Sequence, residues 1–529
     1  MTPRGRPITP VQEAVTAGAV SFAVYLLTRT RDFGGDDTVF AMAVDAFLGG
    51  KGASMEVVHP HHPVYNLLVA AVAAMLRIAG LQPLVLDVGA AVAALAAAGA
   101  VGLVVWLLRR EGIDEWTSLL GGLVLAVSAG MWQFATRMEV YTLAALAVAV
   151  WLAVVSAAPP RAVPSGLAGA AAILAHAVTG LLVVPTAWRL RRRPRAAATA
   201  VAIAVGLAGV ALVGLLVAFL GVRSPAALLD LVVPRGAGEW MADRSPLDAW
   251  RTGAGLVTWG WYRAVPVLPS PMVTIAAACG TLAVAMLGAL LAAGVFDTVR
   301  RRRPLTTTAL LGVVTFLPVW LLWDVGNVEH AVAAAPLLAV LAAAGAAALP
   351  GRWGRWGLGA VLAALVVANG LASALPQSRP ENSRPLVIAG FVAANVPADA
   401  VVLSVGTDPR LRLSLGYLAG RRVIDLTRVA DAARLEGKPA EQAWRWWVEQ
   451  AAAAPGVWAT PDVFDPASRG WAARYGIRGD AFDELAGSWL VGERRELAGD
   501  QVVGPEGFSV TELFSRTGTG RGPMPAAPR

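Results

Sequence analysis

The sequence predicts a polytopic α-helical membrane protein that carries a soluble α/β domain at its C-terminal end. Of its 529 residues, 56% are hydrophobic and 15% are charged, and the mean hydropathy is +0.59. Uncharged runs of about 20 residues, the length that crosses the hydrocarbon core of a bilayer, recur between residues 14 and 375. After residue 375 the charge density rises to that of a soluble protein. This pattern excludes a soluble globular chain and predicts about 9 to 11 membrane helices.

The predicted membrane helices follow the uncharged runs in order. Arg4 and Arg6 precede the first run and no small-residue cleavage site follows it, so we interpret it as an uncleaved span with a cytoplasmic N-terminus. Two runs are unusual, because residues 64–76 are short for a crossing and residues 162–188 contain prolines, glycines and a central histidine. The runs comprise residues 14–28, 64–76, 88–108, 116–134, 140–158, 162–188, 196–222, 272–296, 304–323, 331–350 and 357–375.

The arginines beside these runs allow two topologies. If both unusual runs cross fully, Arg109, Arg110 and Arg161 lie outside. If the shorter run is half-embedded on the outer face and the longer one forms two short helices that meet near His176, the same arginines lie inside, as the positive-inside rule favours. The second topology also brings Glu139 and His176 to the outer face. We therefore expect a multi-pass protein of the inner (plasma) membrane with an extracytoplasmic C-terminal domain.

The chain divides by composition into a membrane module, a small domain and a tail. The membrane module is expected to span residues 1–375 and the small α/β domain residues 376–516, while residues 517–529, rich in Gly and Pro, are expected to be disordered. No glycine-rich phosphate loop follows a strand, so the domain is assigned an accessory or acceptor-handling role. Its expected strands are residues 401–405, 422–426 and 457–460, and its expected helices begin near residue 407 and span residues 440–453.

Polar residues suited to chemistry concentrate between residues 31 and 65. This stretch opens with three carboxylates and closes with three imidazoles and a tyrosine: Asp32, Asp36, Asp37, His59, His61, His62 and Tyr65. A carboxylate can act as a general base, and cationic side chains can bind and stabilise an anionic group. Arg137 or one of the three histidines is suited to the second role. Ionisable residues inside membrane proteins are usually functional, so the stretch is the leading candidate for an active site.

The aspartates and the histidines of this stretch also have other interpretations. Asp36 and Asp37 can also be interpreted as solvated loop charges or as caps of a helix that starts at Thr38. The three histidines suit a divalent cation, although their His-Pro-His-His sequence constrains the backbone. A divalent cation is the one cofactor that the sequence leaves open.

Further along the chain, structural interpretations compete in the same way. Glu139 can also be interpreted as the partner of Arg137 in a structural ion pair. His176 can also be interpreted as a core histidine whose hydrogen bonds are satisfied within the protein. Asp324 and Glu329 are better interpreted as loop charges than as catalytic groups. The net charge of +8 comes from arginines beside apolar runs, so it indicates membrane orientation and no nucleic-acid partner.

Four motifs in this order resemble the GT-C membrane glycosyltransferases. They are Asp36-Asp37 in the first outer loop, His61-His-Pro-Val-Tyr65, Trp132 followed by Glu139-Val-Tyr-Thr-Leu143, and Leu174-Ala-His176. Within that superfamily they resemble in particular a membrane protein family of unknown function that is related to protein O-mannosyltransferases. The match covers residues 32–185, with a weaker echo at residues 323–330. The GT-C resemblance implies a GT-C-like arrangement of the membrane helices.

The chain departs from the family pattern at three positions. His62 replaces the first proline of the His-Pro-Pro element, and Val64 replaces its glycine. His330 stands where many relatives have an arginine that faces the lipid phosphate. The resemblance therefore does not predict the conformation of the turn at residues 61–65. It also does not predict whether residue 330 contacts the lipid phosphate.

The resemblance implies transfer of a sugar, with inversion, from a polyprenyl-phosphate donor to a protein, lipid or glycan hydroxyl on the outer face. The implied catalytic carboxylates are Asp36, Asp37 and Glu139. The implied substrate-binding residues are Asp32, His59, His61, His62, Tyr65, Arg137, Tyr141, His176, Asn327 and His330. Two other classes compete, a transporter or lipid flippase and a noncatalytic envelope assembly protein. The absence of an internal repeat in the runs and the clustering of polar groups at one face disfavour transport.

Overall fold

The computed structural model describes most of the chain and divides it into two compact units. It describes residues 9–33, 35–222, 224, 228, 253–258, 270–322, 328–406, 408–435, 437–487, 489–499, 502–503 and 508–515. The first unit comprises Met1–Thr30 and Phe40–Ser378, and the second comprises Arg31–Val39 and Arg379–Arg529. Asn327, Asp324 and the tail that was expected to be disordered lie outside the described residues.

Helices make up most of the described part of the first unit. They are α1 (Pro10–Leu27), α2 (Gly35–Leu48), α3 (Tyr65–Ile78), α4 (Val85–Arg110), α5 (Glu115–Val127), α6 (Ala129–Ala135), α7 (Tyr141–Val155), α8 (Ala162–Ala175), a 3-10 turn (Ala177–Leu182), α9 (Val183–Leu190), α10 (Pro194–Leu220), α11 (Ser270–Arg301), α12 (Pro304–Leu322), α13 (Glu329–Val332), α14 (Ala335–Ala348), α15 (Trp353–Leu365), a π-helical segment (Val366–Ala374) and α16 (Leu375–Gln377). The first turn of α2 is counted with the second unit. Residues 253–257 form one further short helix.

Several of these helices are long and apolar enough to cross a membrane. Among the described residues there are six, or seven if the bent pair α5 and α6 forms one span. Shorter apolar helices account for the other predicted runs, including α3, α7, α8 and α14. The predicted fold class, a polytopic helical protein with a C-terminal domain, is confirmed. About nine full crossings were expected, and the difference arises because α7 and α14, with 15 and 14 residues, are shorter than a full span and because α5 and α6 count as one span only if the bent pair is joined.

Three interruptions of regular α-helix lie within the described parts of the apolar runs. His176 has an extended backbone (φ −163°, ψ 130°) between α8 and the 3-10 turn, so the two short helices predicted to meet near it are confirmed. The axis bends by 62° between α5 and α6, where Ser128 is extended. The π-helical segment Val366–Ala374 interrupts the last span. The second and third breaks were not expected from the sequence.

Glycines allow the helices to approach at backbone distance. A Cβ on Gly102 would lie 2.8 Å from the Ala14 carbonyl oxygen, so α1 and α4 touch through their backbones. Small residues at a helix crossing are the usual means of close packing in membranes. Two long-range hydrogen bonds add to the packing, from the Tyr25 hydroxyl to the Ala126 carbonyl and from the Trp151 indole to the Thr186 hydroxyl, both 2.9 Å.

The second unit contains a mixed sheet. Its strands in the described residues are β1 (Val401–Ser404), β2 (Arg422–Asp425), β3 (Val457–Ala459), β4 (Trp489–Leu497) and β5 (Phe508–Ser515), in the order β2-β1-β3-β5-β4. The first three are parallel, and β5 and β4 continue the sheet as antiparallel strands. The helices of this unit are α17 (Arg384–Asn395), α18 (Pro409–Tyr417), α19 (Leu426–Leu435), α20 (Ala440–Ala452), α21 (Ser468–Ala473) and α22 (Gly479–Gly487), with 3-10 turns at Pro380–Asn382 and Pro461–Val463.

The acidic segment Arg31–Val39 is bonded within this second unit. The buried Ser383 hydroxyl donates to the Arg31 carbonyl at 2.5 Å and accepts from the Leu386 amide at 3.3 Å, so the same side chain also caps α17. The segment that carries Asp32, Asp36 and Asp37 is therefore held by residues near the start of the C-terminal part of the chain.

Candidate active site

The five histidines of the chain form one connected cluster in the first unit. The His59 and His62 rings stack with centroids 4.3 Å apart and an interplanar angle of 11°, and His61 meets His59 edge-on at 5.1 Å. The His62 ring lies 6.1 Å from His176, and His176 lies 6.1 Å from His330. Three distant parts of the sequence thus converge: the loop before α3, the break after α8 and the short helix α13.

Backbone hydrogen bonds fix how these rings are oriented. The Ala177 amide donates to the His61 carbonyl at 2.7 Å, which ties the histidine loop to the break at His176. The Val178 amide donates to Nδ1 of His176 and the His61 amide donates to Nδ1 of His59, both at 3.2 Å. Because Nδ1 accepts in each case, a neutral ring carries its proton on Nε2. Both rings therefore present an N–H donor.

A tyrosine links the histidines to a carboxylate. The Tyr141 ring lies 5.5 Å from His176 and 6.4 Å from His330, and its hydroxyl donates to Oε2 of Glu329 at 2.8 Å. Glu329 starts α13, so its interpretation as a loop charge was wrong. A sequence signal existed, because Glu329 immediately precedes His330.

The segment between α6 and α7 adds a buried pair of opposite charges. Arg137 and Glu139 are 5% and 6% exposed, and they lie just before Tyr141, the first residue of α7. The Glu139 amide donates to the Arg137 carbonyl at 3.1 Å, which curls the segment. A buried guanidinium and a buried carboxylate therefore lie within four residues of the tyrosine that contacts the histidines.

The remaining predicted site residues have different surroundings. Tyr65 is fully buried and its hydroxyl donates to the Gly89 carbonyl at 2.9 Å. Asp36 and Asp37 occupy the first turn of α2, where carboxylates stabilise the helix N-terminus. Since α2 begins at Gly35, the expectation that they cap a helix starting at Thr38 was wrong. Asp36 is exposed, whereas Asp37 is fully buried.

Burial keeps His59 and His62 neutral. Burial and the neighbouring His61 lower the pKa of His59 from 6.5 to about 4, against the opposite effect of Glu56. Burial, followed by the charge of His59, also lowers the pKa of His62 well below its usual value. These two rings therefore act as neutral hydrogen-bonding groups near neutral pH.

We expect the melting temperature of the detergent-solubilised protein to fall by a few degrees as the pH is lowered from 6.5 to about 4. In that window the unfolded chain takes up a proton on His59 that the folded chain does not bind, so protonation favours unfolding. Thermal scans of the wild type and of His59→Gln at matched pH values measure the contribution. If the melting temperature of His59→Gln falls with pH as much as that of the wild type, the expected contribution of His59 is contradicted.

An apolar cavity of about 320 Å³ lies in the same unit. It is lined by α5, residues 253–257, α11, α12 and the segment from α13 to α14. Ala331 and Ala335 line it, and they lie one and five residues after His330 in the sequence. One short segment therefore contributes polar side chains to the histidine cluster and apolar side chains to the cavity.

Comparison with solved structures identifies the fold. The crystal structure of ArnT from Cupriavidus metallidurans in the apo state matches with a TM-score of 0.61 and 13% identity, over 94% of this chain and 97% of that chain. This chain is similar in fold to ArnT. A second structure, ArnT bound to undecaprenyl phosphate, matches with a TM-score of 0.58 and 14% identity over the same shares of each chain.

The ArnT-like fold is that of a multi-pass membrane protein. The expected polytopic helical fold is therefore confirmed, and it is similar to the fold of ArnT. No family model matches the sequence, and no curated protein matches it significantly.

The donor set of the cluster does not resemble a metal centre. Within the described residues, no group of three or more His, Cys, Asp or Glu side chains is placed to hold a metal ion. The histidines of the ArnT-like membrane unit instead meet through their ring faces and edges.

Sequence reasoning missed residues that shape the site without carrying charge. Phe134 packs edge-on against Tyr141 at 5.0 Å. The Trp132 indole donates to the Thr28 hydroxyl at 2.8 Å, and the Thr30 amide donates to the Thr136 carbonyl at 3.2 Å. No motif marks Thr28 or Thr30, because their role depends on a helix more than 100 residues away.

Proposed function

We propose that this chain is a membrane glycosyltransferase that transfers a sugar from a polyprenyl-phosphate donor to a protein, lipid or glycan hydroxyl. The observation that carries the proposal is that one short segment, residues 329–335, contributes side chains both to the polar cluster and to the lining of the apolar cavity. An apolar cavity and a group of convergent polar side chains that share one short segment suit an amphiphilic ligand. The ligand of the second ArnT structure, undecaprenyl phosphate, has this character, and the shared fold supports the same ligand class.

Arg137 is the residue that we assign to the donor phosphate. Its guanidinium is permanently charged, whereas His59 and His62 are neutral near pH 7. These histidines are assigned the role of neutral donors that orient the phosphate or the sugar. His176, His330 and Tyr141 extend the same polar surface toward Glu329.

A carboxylate acts as the base in the proposed reaction. The acceptor oxygen forms a bond to the anomeric carbon while the bond from that carbon to the phosphate oxygen breaks. The electron pair leaves with polyprenyl phosphate, and the acceptor proton passes to Asp36, Asp37 or Glu139. A single displacement inverts the anomeric configuration.

Filling the cavity is expected to weaken donor binding. Gly288 lines the cavity, and an added Cβ there meets nothing within 4 Å, so Gly288→Leu places a side chain where the lipid would lie. We expect the KM for a polyprenyl-phosphate sugar to rise at least about tenfold, a change of about 1.4 kcal/mol. Purified protein is assayed with a panel of radiolabelled polyprenyl-phosphate sugars, following the release of label from the lipid.

The chain offers a matched control. Gly206 on α10 is also exposed and its added Cβ also meets nothing within 4 Å, but it does not line the cavity. Gly206→Leu should keep the wild-type KM. Absence of label release from every donor tested would overturn the proposed function. Equal KM values for both variants would show that the cavity does not bind the donor lipid.

A further inference from the structure

A buried amide joins two walls of the apolar cavity. Asn369 is fully buried, and its Nδ2 donates to the carbonyl oxygens of Val127 and Val257, each at 2.8 Å. These carbonyls belong to separate parts of the chain, 242 and 112 residues from Asn369. One side chain thus bonds the end of α5 to the helical residues 253–257.

Both bonded elements line the cavity near the point of attachment. Val127 is the last residue of α5, directly before the 62° bend into α6. Ser128 on one side and Leu256 and Val257 on the other line the cavity. Backbone carbonyls in apolar surroundings strongly require a partner, so the amide determines how far apart these two walls stand.

The surrounding helix geometry holds the amide in place. Asn369 lies in the π-helical segment Val366–Ala374, and such segments recur at functional sites in helical proteins. The next residue, Gly370, packs against Trp132 of α6 so closely that a Cβ would lie 2.9 Å from the indole ring. The π-helical segment therefore contacts both helices of the bent pair, α5 through Asn369 and α6 through Gly370.

We propose that Asn369 is a positioning residue that sets the width of the lipid cavity and thereby the affinity for the polyprenyl chain. This inference rests on the proposed function, because it takes the occupant of the cavity to be the lipid of the donor. The two described hydrogen bonds of Asn369 go to backbone carbonyls. Its replacement should change lipid binding more than the chemical step.

The test compares variants of the purified full-length protein in lipid nanodiscs. Asn369→Leu keeps a similar side-chain size and removes both donors, whereas Asn369→Ser retains a single hydroxyl donor. Asn395→Leu is the control, since the Asn395 amide donates only to the Phe391 carbonyl of its own helix among the bonds described. Binding of undecaprenyl phosphate and of a short-chain analogue, citronellyl phosphate, is measured together with amide hydrogen exchange.

We expect Asn369→Leu to weaken undecaprenyl phosphate binding at least about tenfold, with a smaller loss for the short analogue and a KM effect that exceeds the kcat effect. Exchange should accelerate in residues 124–135 and 253–258 only in the Asn369 variants. If the leucine variant does not fold, the serine variant carries the same comparison with a smaller expected loss.

Two results would overturn the inference while leaving the proposed function intact. One is unchanged exchange in both segments, and the other is faster exchange with wild-type affinity for both lipids. A wild type that binds neither lipid would overturn the proposed function and this inference together, whereas the exchange data would still report whether the amide fixes the two walls.

Discussion

Asp36→Asn is expected to lower sugar transfer at least about 100-fold, the lower range for loss of a positioned general base. Asp36 is exposed in the first turn of α2, so an acceptor hydroxyl can reach its carboxylate. An asparagine keeps the shape of the side chain but cannot take the proton. Turnover of polyprenyl-phosphate sugar by the purified variant measures the effect, and membrane insertion should be unchanged.

Two companion variants locate the base among the carboxylates. Asp37→Asn should lower transfer similarly and also lower stability, because Asp37 is fully buried. Glu139→Gln should lower transfer less than Asp36→Asn if Glu139 orients Arg137, and more if it is the base. Asp399→Asn, an exposed carboxylate in the second unit, is the control. Near-normal transfer in both aspartate variants would move the base to Glu139.

Gly345→Ala is expected to destabilise the membrane unit by more than about 3 kcal/mol, the upper range for ordinary overpacking. A Cβ on Gly345 would lie 1.9 Å from the Leu290 carbonyl oxygen, and a Cβ on Gly294 would lie 2.0 Å from that of Leu341. Helices α11 and α14 thus touch backbone to backbone, and no side chain can move aside. The yield of monodisperse protein and its melting temperature should both drop sharply.

Replacement of glycine by alanine at position 206 should stabilise the protein, in contrast to the same replacement at position 345. Gly206→Ala adds a Cβ that meets nothing within 4 Å, and alanine is favoured over glycine in a helix by about 1 kcal/mol. Its melting temperature should equal or exceed that of the wild type. A Gly345→Ala variant as stable as Gly206→Ala would show that α11 and α14 do not pack at backbone distance.

Hydropathy identified the helical regions because a bilayer requires long apolar runs. It placed the two short helices around His176, since prolines, glycines and a histidine within one run disrupt a regular span. It did not reveal the bend at Ser128 or the π-helical segment around Asn369. Both depend on partners distant in sequence, including the Val127 and Val257 carbonyls that Asn369 satisfies.

In the sheet of the second unit, the sequence also predicted some strands and missed others. The three parallel strands were predicted because continuous apolar runs such as Val401–Ser404 are buried along their whole length. Strand β4 (Trp489–Leu497) was missed because Glu493, Arg494, Arg495 and Glu496 give it the charge of a solvated loop. Those charges suit an edge strand, where they discourage pairing with other chains.

The bond between Ser383 and Arg31 has a consequence for synthesis of the protein. The two residues are 352 positions apart, and a ribosome adds roughly 5 to 20 residues per second. The acidic segment is therefore made roughly 20 to 70 s before its hydrogen-bonding partner, given that rate. A nascent chain inserts most of its helices while this segment still lacks Ser383. Chains released before that residue are membrane-embedded products in which the carboxylates have no such support.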